Sequence, residues 1–262
     1  MTITYRAGVD IGGTFTDIVL LGSDGTVHTR KISSSVENYA QAIVQGLSDV
    51  FRETGLTGTA IEEIRHGTTV ASNAILEHKG ARVGLITTKG FRDVLEIRPL
   101  RMPKLYDLTW TKPAPMVERY LRKVVDERID HRGHVERALD PADAERAFAA
   151  LLAEKVEAIA VCLINSFTNP AHEHMLKQII ERKAPALPVS ISFEVLPEIK
   201  EYERTSTTVI NAYVTPIVAT YLRALRKGLD AAGIPARLLL MQSNGGLTTD
   251  VAAAERPMKR RA

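Results

Sequence analysis

The sequence predicts an α/β protein built on a mixed sheet. Three observations carry that expectation. Three short strand patterns open the chain within its first 32 residues, and from residue 61 strand and helix patterns take turns. Further on, a continuous apolar run from Ala158 to Ile164 lies between two helix starts, the signature of a strand covered on both faces.

Taken in order, Ile3 to Asp10, Asp17 to Leu21 and Thr26 to Ile32 read as strands of a meander. Ser23-Asp24-Gly25 between the last two supplies residues that tolerate positive φ in a tight hairpin. Val36, Ala40, Ile43, Val44, Leu47, Val50 and Phe51 then recur at helical spacing, Gly55 stops that helix, and it is expected to pack on the opening sheet. Ile61 to Arg65 and Arg82 to Thr87 read as strands, each followed by a helix, Thr69 to His78 and Gly90 to Glu96. Arg98 to Val117 holds four prolines and the single tryptophan without a period, which predicts a long surface excursion beside a subdomain boundary.

Beyond it, Asp140-Pro141 is an N-cap followed by Pro at the first helical position, with Ala144, Phe148, Leu151 and Leu152 as the apolar face. Asn169-Pro170 repeats the device before Met175, Leu176, Ile179 and Ile180. Val189 to Phe193 reads as a strand. Glu201 to Ala231 reads as two helices, the second restarted at Pro216 with Thr215 as its cap and stopped by Gly233. Arg237 to Met241 is an apolar strand and Gln242 to Gly246 a polar turn, as if a new α/β unit were beginning.

Composition narrows the function classes. Hydrophobic residues make up 45% and charged residues 25% of 262, ordinary for a folded chain, which excludes disordered and fibrous classes. Lys and Arg exceed Asp and Glu by 34 to 31, too little to argue for nucleic acid. The lone Cys162 excludes an internal disulfide and suits a cytoplasmic setting; inside its apolar run it reads as buried and inert. No secretory signal and no membrane span are read.

The sharpest local pattern is Asp10-Ile11-Gly12-Gly13-Thr14-Phe15-Thr16-Asp17, at the bend between the first two strands. Glycines there let backbone N–H groups converge on an anion, Thr14 and Thr16 add hydroxyl donors, and Asp10 is placed to orient Mg²⁺ or its waters. An ordinary hairpin turn is the competing reading, and neither a Walker loop nor a dinucleotide fingerprint is present. A second pattern, His66-Gly67-Thr68-Thr69 with Ser72 and Asn73, marks a strand-to-helix junction suited to phosphate or an oxyanion; a plain Thr68 cap beside a structural His66 is the alternative. A third stretch, Glu198 to Thr208, reads as a solvated helix start whose four consecutive hydroxyl residues are poor helix formers. The pairs His131/His134 and His172/His174 lack the facing geometry of a zinc site, and Arg98, Arg101 and Lys104 with Tyr106 and Trp110 read as a solvated loop.

DIGGTFTD, HGTTVASNAILEHKGARVGLITTKGFRDVLEI, EVLPEIKEYERTSTTVINAYV and QSNGGL together resemble, in order and spacing, the hydantoinase/oxoprolinase family of A-type subunits. The resemblance implies a ribonuclease-H-like lobe of the actin, Hsp70 and sugar-kinase superfamily, followed by the start of a second α/β lobe, with residues 1–190 as an N-terminal domain and 191–262 as the incomplete beginning of the next. It implies ATP with Mg²⁺, activation of a cyclic amide carbonyl, and a B-type partner subunit in an oligomer. A ketone carboxylase subunit, or a truncated module keeping only subunit contacts, are the alternative functions. Carried onto this chain, Asp10, Gly12, Gly13, Thr14 and Thr16 match the first phosphate motif, and His66, Gly67, Thr68 and Thr69 match the HGTT segment. A-type subunits continue into a second phosphate loop, so the chain alone is expected to be inactive.

Overall fold

The computed structural model describes residues 3–34, 39–99, 106–107, 109–242, 245–255 and 257. The described residues within 3–79 and 217–257 form one compact unit, and those within 80–216 form another. The division thus falls after Lys79 and after Pro216, away from the Arg98–Val117 excursion where the sequence placed a subdomain boundary.

The first unit is a six-stranded mixed sheet. β1 (Tyr5–Ile11), β2 (Phe15–Gly22) and β3 (Val27–Ser33) form the expected antiparallel meander. Along β2 burial alternates strictly, Thr16, Ile18 and Leu20 facing in and Phe15, Asp17, Val19 and Leu21 facing out, as a sheet with one covered face requires. The β2–β3 turn closes as its residues dictate: Gly25 has φ of 87°, and the Asp24 carboxylate accepts from the Thr26 amide and hydroxyl. α1 (Tyr39–Thr54) packs on β2 and β3 through Ala40, Ile43, Leu47 and Val50, and Gly55 ends it at φ of 73°. β4 (Ile61–Thr68) then lies parallel to β1, and α2 (Val70–Leu76) follows it.

The end of the chain returns to the same sheet. β11 (Arg237–Met241) pairs in parallel with β4, β12 (Leu247–Thr249) folds back on β11, and the order is β12-β11-β4-β1-β2-β3. The sequence read Arg237 to Met241 as opening a new lobe. Periodicity identifies a buried strand but not its partner, and the free edge of β4 takes it. α8 (Asp250–Glu255) is tied back by Arg226, whose guanidinium bonds the Asp250 carboxylate at 3.1 Å and the Ala236 carbonyl at 3.0 Å.

The second unit carries an all-parallel sheet ordered β10-β9-β5-β6, from β5 (Val83–Thr88), β6 (Arg122–Val125), β9 (Ala158–Cys162) and β10 (Val189–Ile191). Every residue of β9 is buried, as its unbroken apolar run predicts. α4 (Pro141–Ala153) starts on the Asp140 side chain, which accepts from the Ala142 amide at 2.9 Å. It buries Ala144, Ala147, Phe148 and Leu151, while Leu152, assigned to that face from sequence, points to solvent. α5 (Ala171–Lys183) begins one residue after Asn169-Pro170, and Asn169 accepts from the Ala171 amide. Short elements complete the unit: α3 (Val94–Ile97), the ribbon β7 (Arg128–Ile129) with β8 (Val135–Arg137), and the single turn α6 (Ser192–Val195), where the sequence had extended the preceding strand to Phe193.

α7 (Glu201–Ala231) is one 31-residue helix with Pro216 inside it, not two helices meeting there. Its first turns are not solvated either. Arg204 is fully buried, bonding Ser166 and Ser192, and Thr205 donates to the Cys162 sulfur at 3.1 Å. Ser192 links that guanidinium to the buried Glu173 carboxyl at 2.6 Å, and the Leu163 and Phe193 amides also donate to Glu173. Burial pushes the Glu173 carboxyl above its ordinary range against those donors.

Candidate functional site

In the first unit the β1–β2 turn and the end of β4 lie side by side. β1 and β2 pair through Asp10 with Asp17 and Ile11 with Thr16, and Gly12 to Thr14 form the connection. The Gly12 amide closes it on the Phe15 carbonyl at 2.9 Å. That amide therefore serves the hairpin and does not face outward, contrary to the expectation for Gly12. Thr16 is also turned inward: fully buried, its hydroxyl pairs with Ser34 at 2.9 Å, and Ser34 donates in turn to the Gly12 carbonyl at 3.0 Å. The Ser34 amide holds the Thr14 carbonyl at 2.8 Å. The turn is thus pinned from beneath, and what it presents to solvent is Gly13, Thr14 and, at the strand end, the exposed carboxylate of Asp10.

Asp10 stands opposite Gly67 in the parallel pairing of β1 with β4. A Cβ on Gly67 would come within 2.9 Å of Asp10 Oδ1, so the glycine of the HGTT segment is what gives this carboxylate room. Asp17, the cross-strand neighbour of Asp10, is held instead by Lys31 at 3.2 Å.

The other HGTT side chains are committed within the unit. His66 is wholly buried; Nδ1 faces the Val9 carbonyl at 3.1 Å and Nε2 faces the Tyr221 hydroxyl at 2.6 Å. A carbonyl only accepts, so Nδ1 carries the proton and Tyr221 donates to Nε2. Burial lowers the imidazole pKa to about 4, which keeps the ring neutral. The Thr68 hydroxyl bonds the Tyr221 oxygen and accepts from the Val70 amide at 3.2 Å. Thr69 donates to the Ile11 carbonyl at 3.3 Å and receives the Asn73 amide at 3.2 Å. His66, Thr68 and Thr69 therefore fasten β4 to β1 and α7 rather than offering free donors, and α2, at seven residues, is too short to add a helix-dipole site.

Tyr221 was missed from sequence. It lies 155 residues from His66 in a helix whose pattern gave no sign of a polar task, and only its place among apolar neighbours at helical spacing could have marked it as buried.

Among the described residues no group of three or more His, Cys, Asp or Glu side chains gathers as a metal cage. The one carboxylate that this turn leaves exposed is that of Asp10. His172, one of the histidines weighed for zinc, pairs with Glu127 at 2.6 Å, and His134 pairs with Asp130 at 3.1 Å.

Residues 6–184 match the family described as the hydantoinase/oxoprolinase N-terminal region, and residues 204–260 match hydantoinase/oxoprolinase. The chain belongs to the hydantoinase/oxoprolinase family. It is 36% identical to caprolactamase subunit alpha of Pseudomonas jessenii over 96% of its length, and 33% identical to 5-oxoprolinase 1 of Arabidopsis thaliana over 94%. The crystal structure of the ATP-dependent caprolactamase superimposes with a TM-score of 0.87 at 35% identity, covering 94% of the chain. A nucleotide-free acetone carboxylase structure shares the fold at a TM-score of 0.86 and 24% identity over 98% of the chain. The fold is thus the α/β arrangement with a mixed sheet expected for actin- and Hsp70-like lobes. The chain spans 37% of the caprolactamase subunit and 22% of the plant 5-oxoprolinase. Among the described residues no helix is long and apolar enough to cross a membrane.

Proposed function

We propose that this chain is the N-terminal part of an ATP-dependent cyclic amide hydrolase and that its β1–β2 turn receives nucleotide phosphate. The observation that carries the reading is the outward face of that turn. Among the described residues, its two chain neighbours aside, nothing lies within 4 Å of a Cβ placed on Gly13, and its φ is not left-handed, so neither packing nor turn geometry calls for glycine there. A bare backbone with open space above it, beside the Thr14 hydroxyl and the Asp10 carboxylate, suits close approach of a phosphate. Gly12, Thr16, His66, Gly67, Thr68 and Thr69 shape this surface from below.

The relatives support the chemistry: one is an ATP-dependent caprolactamase and another a 5-oxoprolinase. An unstrained amide is a poor electrophile. Transfer of the γ-phosphoryl group to its carbonyl oxygen, with ADP leaving, draws electron density from the carbonyl carbon and opens it to water. Mg²⁺, when bound, neutralises phosphate charge during that transfer. The residues of this chain hold the phosphates and their metal at fixed positions, Gly13 and Thr14 through N–H and O–H donors and Asp10 through its carboxylate. The caprolactamase relative is a subunit by name, which supports a B-type partner that takes part in ring opening.

Titration of the 262-residue chain with MgATP and MgADP tests the site. Gly13→Val should leave the thermal midpoint unchanged, since the side chain meets open space, and reduce nucleotide affinity at least tenfold. Asp10→Asn should remove the Mg²⁺ dependence of whatever binding remains. Equal affinity of the Gly13→Val variant and the parent would overturn the placement.

A further inference from the structure

The second unit contains a cavity of about 180 Å³ that the nucleotide reading does not use. One wall is a single face of α7, where Tyr202, Ser206, Val209 and Ile210 follow one another at helical spacing. The others are Leu95 and Arg98 at the end of α3 and the chain at 114–116.

Three features set this cavity apart. Arg98 has φ of 58° and ψ of 178°, a region almost confined to glycine, although a full guanidinium side chain stands on it. That side chain is aimed: Nε donates to the Tyr202 hydroxyl at 2.9 Å and Nη1 to the Pro113 carbonyl at 3.3 Å. Both partners are neutral. Among the described residues no carboxylate pairs with Arg98, whereas Glu96, two residues earlier, is taken by Arg122 at 2.9 Å. A second cation stands on the neighbouring backbone: the Lys112 ammonium bonds the Ile97 carbonyl at 3.1 Å. Lastly, Thr208 and Thr215 in the same helix return their hydroxyls to the carbonyl four residues back, while the Ser206 hydroxyl takes no partner among the described residues.

We propose that this cavity binds a compact organic carboxylate, its saturated or aromatic body against Leu95, Val209 and Ile210 and its anionic group on Arg98 and Ser206. A cavity near 150 Å³ accommodates benzene, so this one suits a body and head of about six to nine heavy atoms together. The uncompensated guanidinium selects an anion, and a planar fork matches a carboxylate better than a spherical ion. The apolar wall excludes phosphate esters and nucleotides, which would strand their hydration against hydrocarbon. The inference shares no residue with the phosphate turn and stands or falls without it.

Saturation-transfer NMR and calorimetry on the 262-residue chain decide it, using pentanoate, cyclopentanecarboxylate and benzoate against the matching amides. At least one carboxylate should bind, with its amide about tenfold to a hundredfold weaker, the span that one charge-assisted contact supplies. Arg98→Gln should remove that preference. Ile210→Trp, at a half-buried position on the cavity wall, should block the carboxylate and its amide alike, with circular dichroism confirming that both variants fold. Absence of binding by all three carboxylates, equal binding of the amides, or a preference that survives Arg98→Gln would each overturn the proposal.

Discussion

Burying an imidazole favours its neutral form, and at His66 this couples stability to pH. The ring titrates near 6.5 in the unfolded chain and at about 4 when folded. Above pH 6.5 both states are neutral and the full stability is present. Between 6.5 and 4 the unfolded state takes the proton and the folded state does not, so stability falls as pH falls, by roughly 3 kcal/mol across the window. Urea unfolding from pH 7.5 to 4.5 should show this slope, and His66→Gln should flatten it; an equal slope in the variant would place the titration elsewhere. Cys162 is the opposite case, a thiol whose burial raises its pKa and leaves it unreactive. Thiol reagents should label the native chain slowly, and stoichiometric labelling without unfolding would contradict the packing. Arg98 offers a comparison of backbone cost. Arg98→Gly and Arg98→Ala lose the same contacts to Tyr202 and Pro113, but only alanine must keep a φ of 58° with a Cβ. The glycine variant should be about 1 kcal/mol the more stable of the two by thermal denaturation, and equal stabilities would show that the loop relaxes out of that conformation.

Element by element, what local chemistry specifies was legible in the sequence and what tertiary context specifies was not. The Asp24-Gly25 turn, the Asp140 cap and the apolar run of β9 carry their own instructions, and each is found where those residues place it. Ser192 to Val195 shows the limit: β-branched and aromatic residues there suggest strand, yet Ser192 and the Phe193 amide turn to bond the Glu173 carboxyl and the chain coils. Pro216 shows the same from the other side. Its local signal is a helix boundary, but Ala212, Tyr213 and Val214 before it and Val218, Tyr221 and Leu222 after it are all buried, and that packing carries the helix through. The cost remains, since position 216 gives no amide to the Ala212 carbonyl. Pro216→Ala should therefore restore a helical hydrogen bond and stabilise the chain by about 1–2 kcal/mol, the helix gain less the greater freedom of the unfolded alanine chain. An unchanged or lowered thermal midpoint would show that the proline ring packs well enough to offset its missing bond.

At the scale of the whole molecule, the order of strands could not be read along the chain. β11 is separated from β4 by the entire second unit, and only the open edge of the first sheet defines its place. The candidate site divides in the same way. Asp10, Gly13 and Thr14 are outward groups of one local turn and their motif announces them, whereas the inward duties of Thr16 and His66 depend on Ser34 and Tyr221, which the motif does not contain. This division sets the affinity expected of the 262 residues by themselves. As a phosphate site, the proposed turn would offer about three charge-assisted contacts of roughly 2 kcal/mol each, while association alone costs on the order of 4 kcal/mol or more. The surplus of about 2 kcal/mol leaves MgATP bound more weakly than 1 mM, which would require about 4 kcal/mol. Such a surface, in a chain spanning 37% of the caprolactamase subunit, should support no steady ATP-dependent ring opening of a cyclic amide even with a B-type subunit added. Calorimetry with MgATP and a phosphate-release assay check both statements. Micromolar binding or sustained turnover would mean that a second copy or a further segment of this chain supplies the missing contacts, and the turn's share of the nucleotide would have to be reassigned.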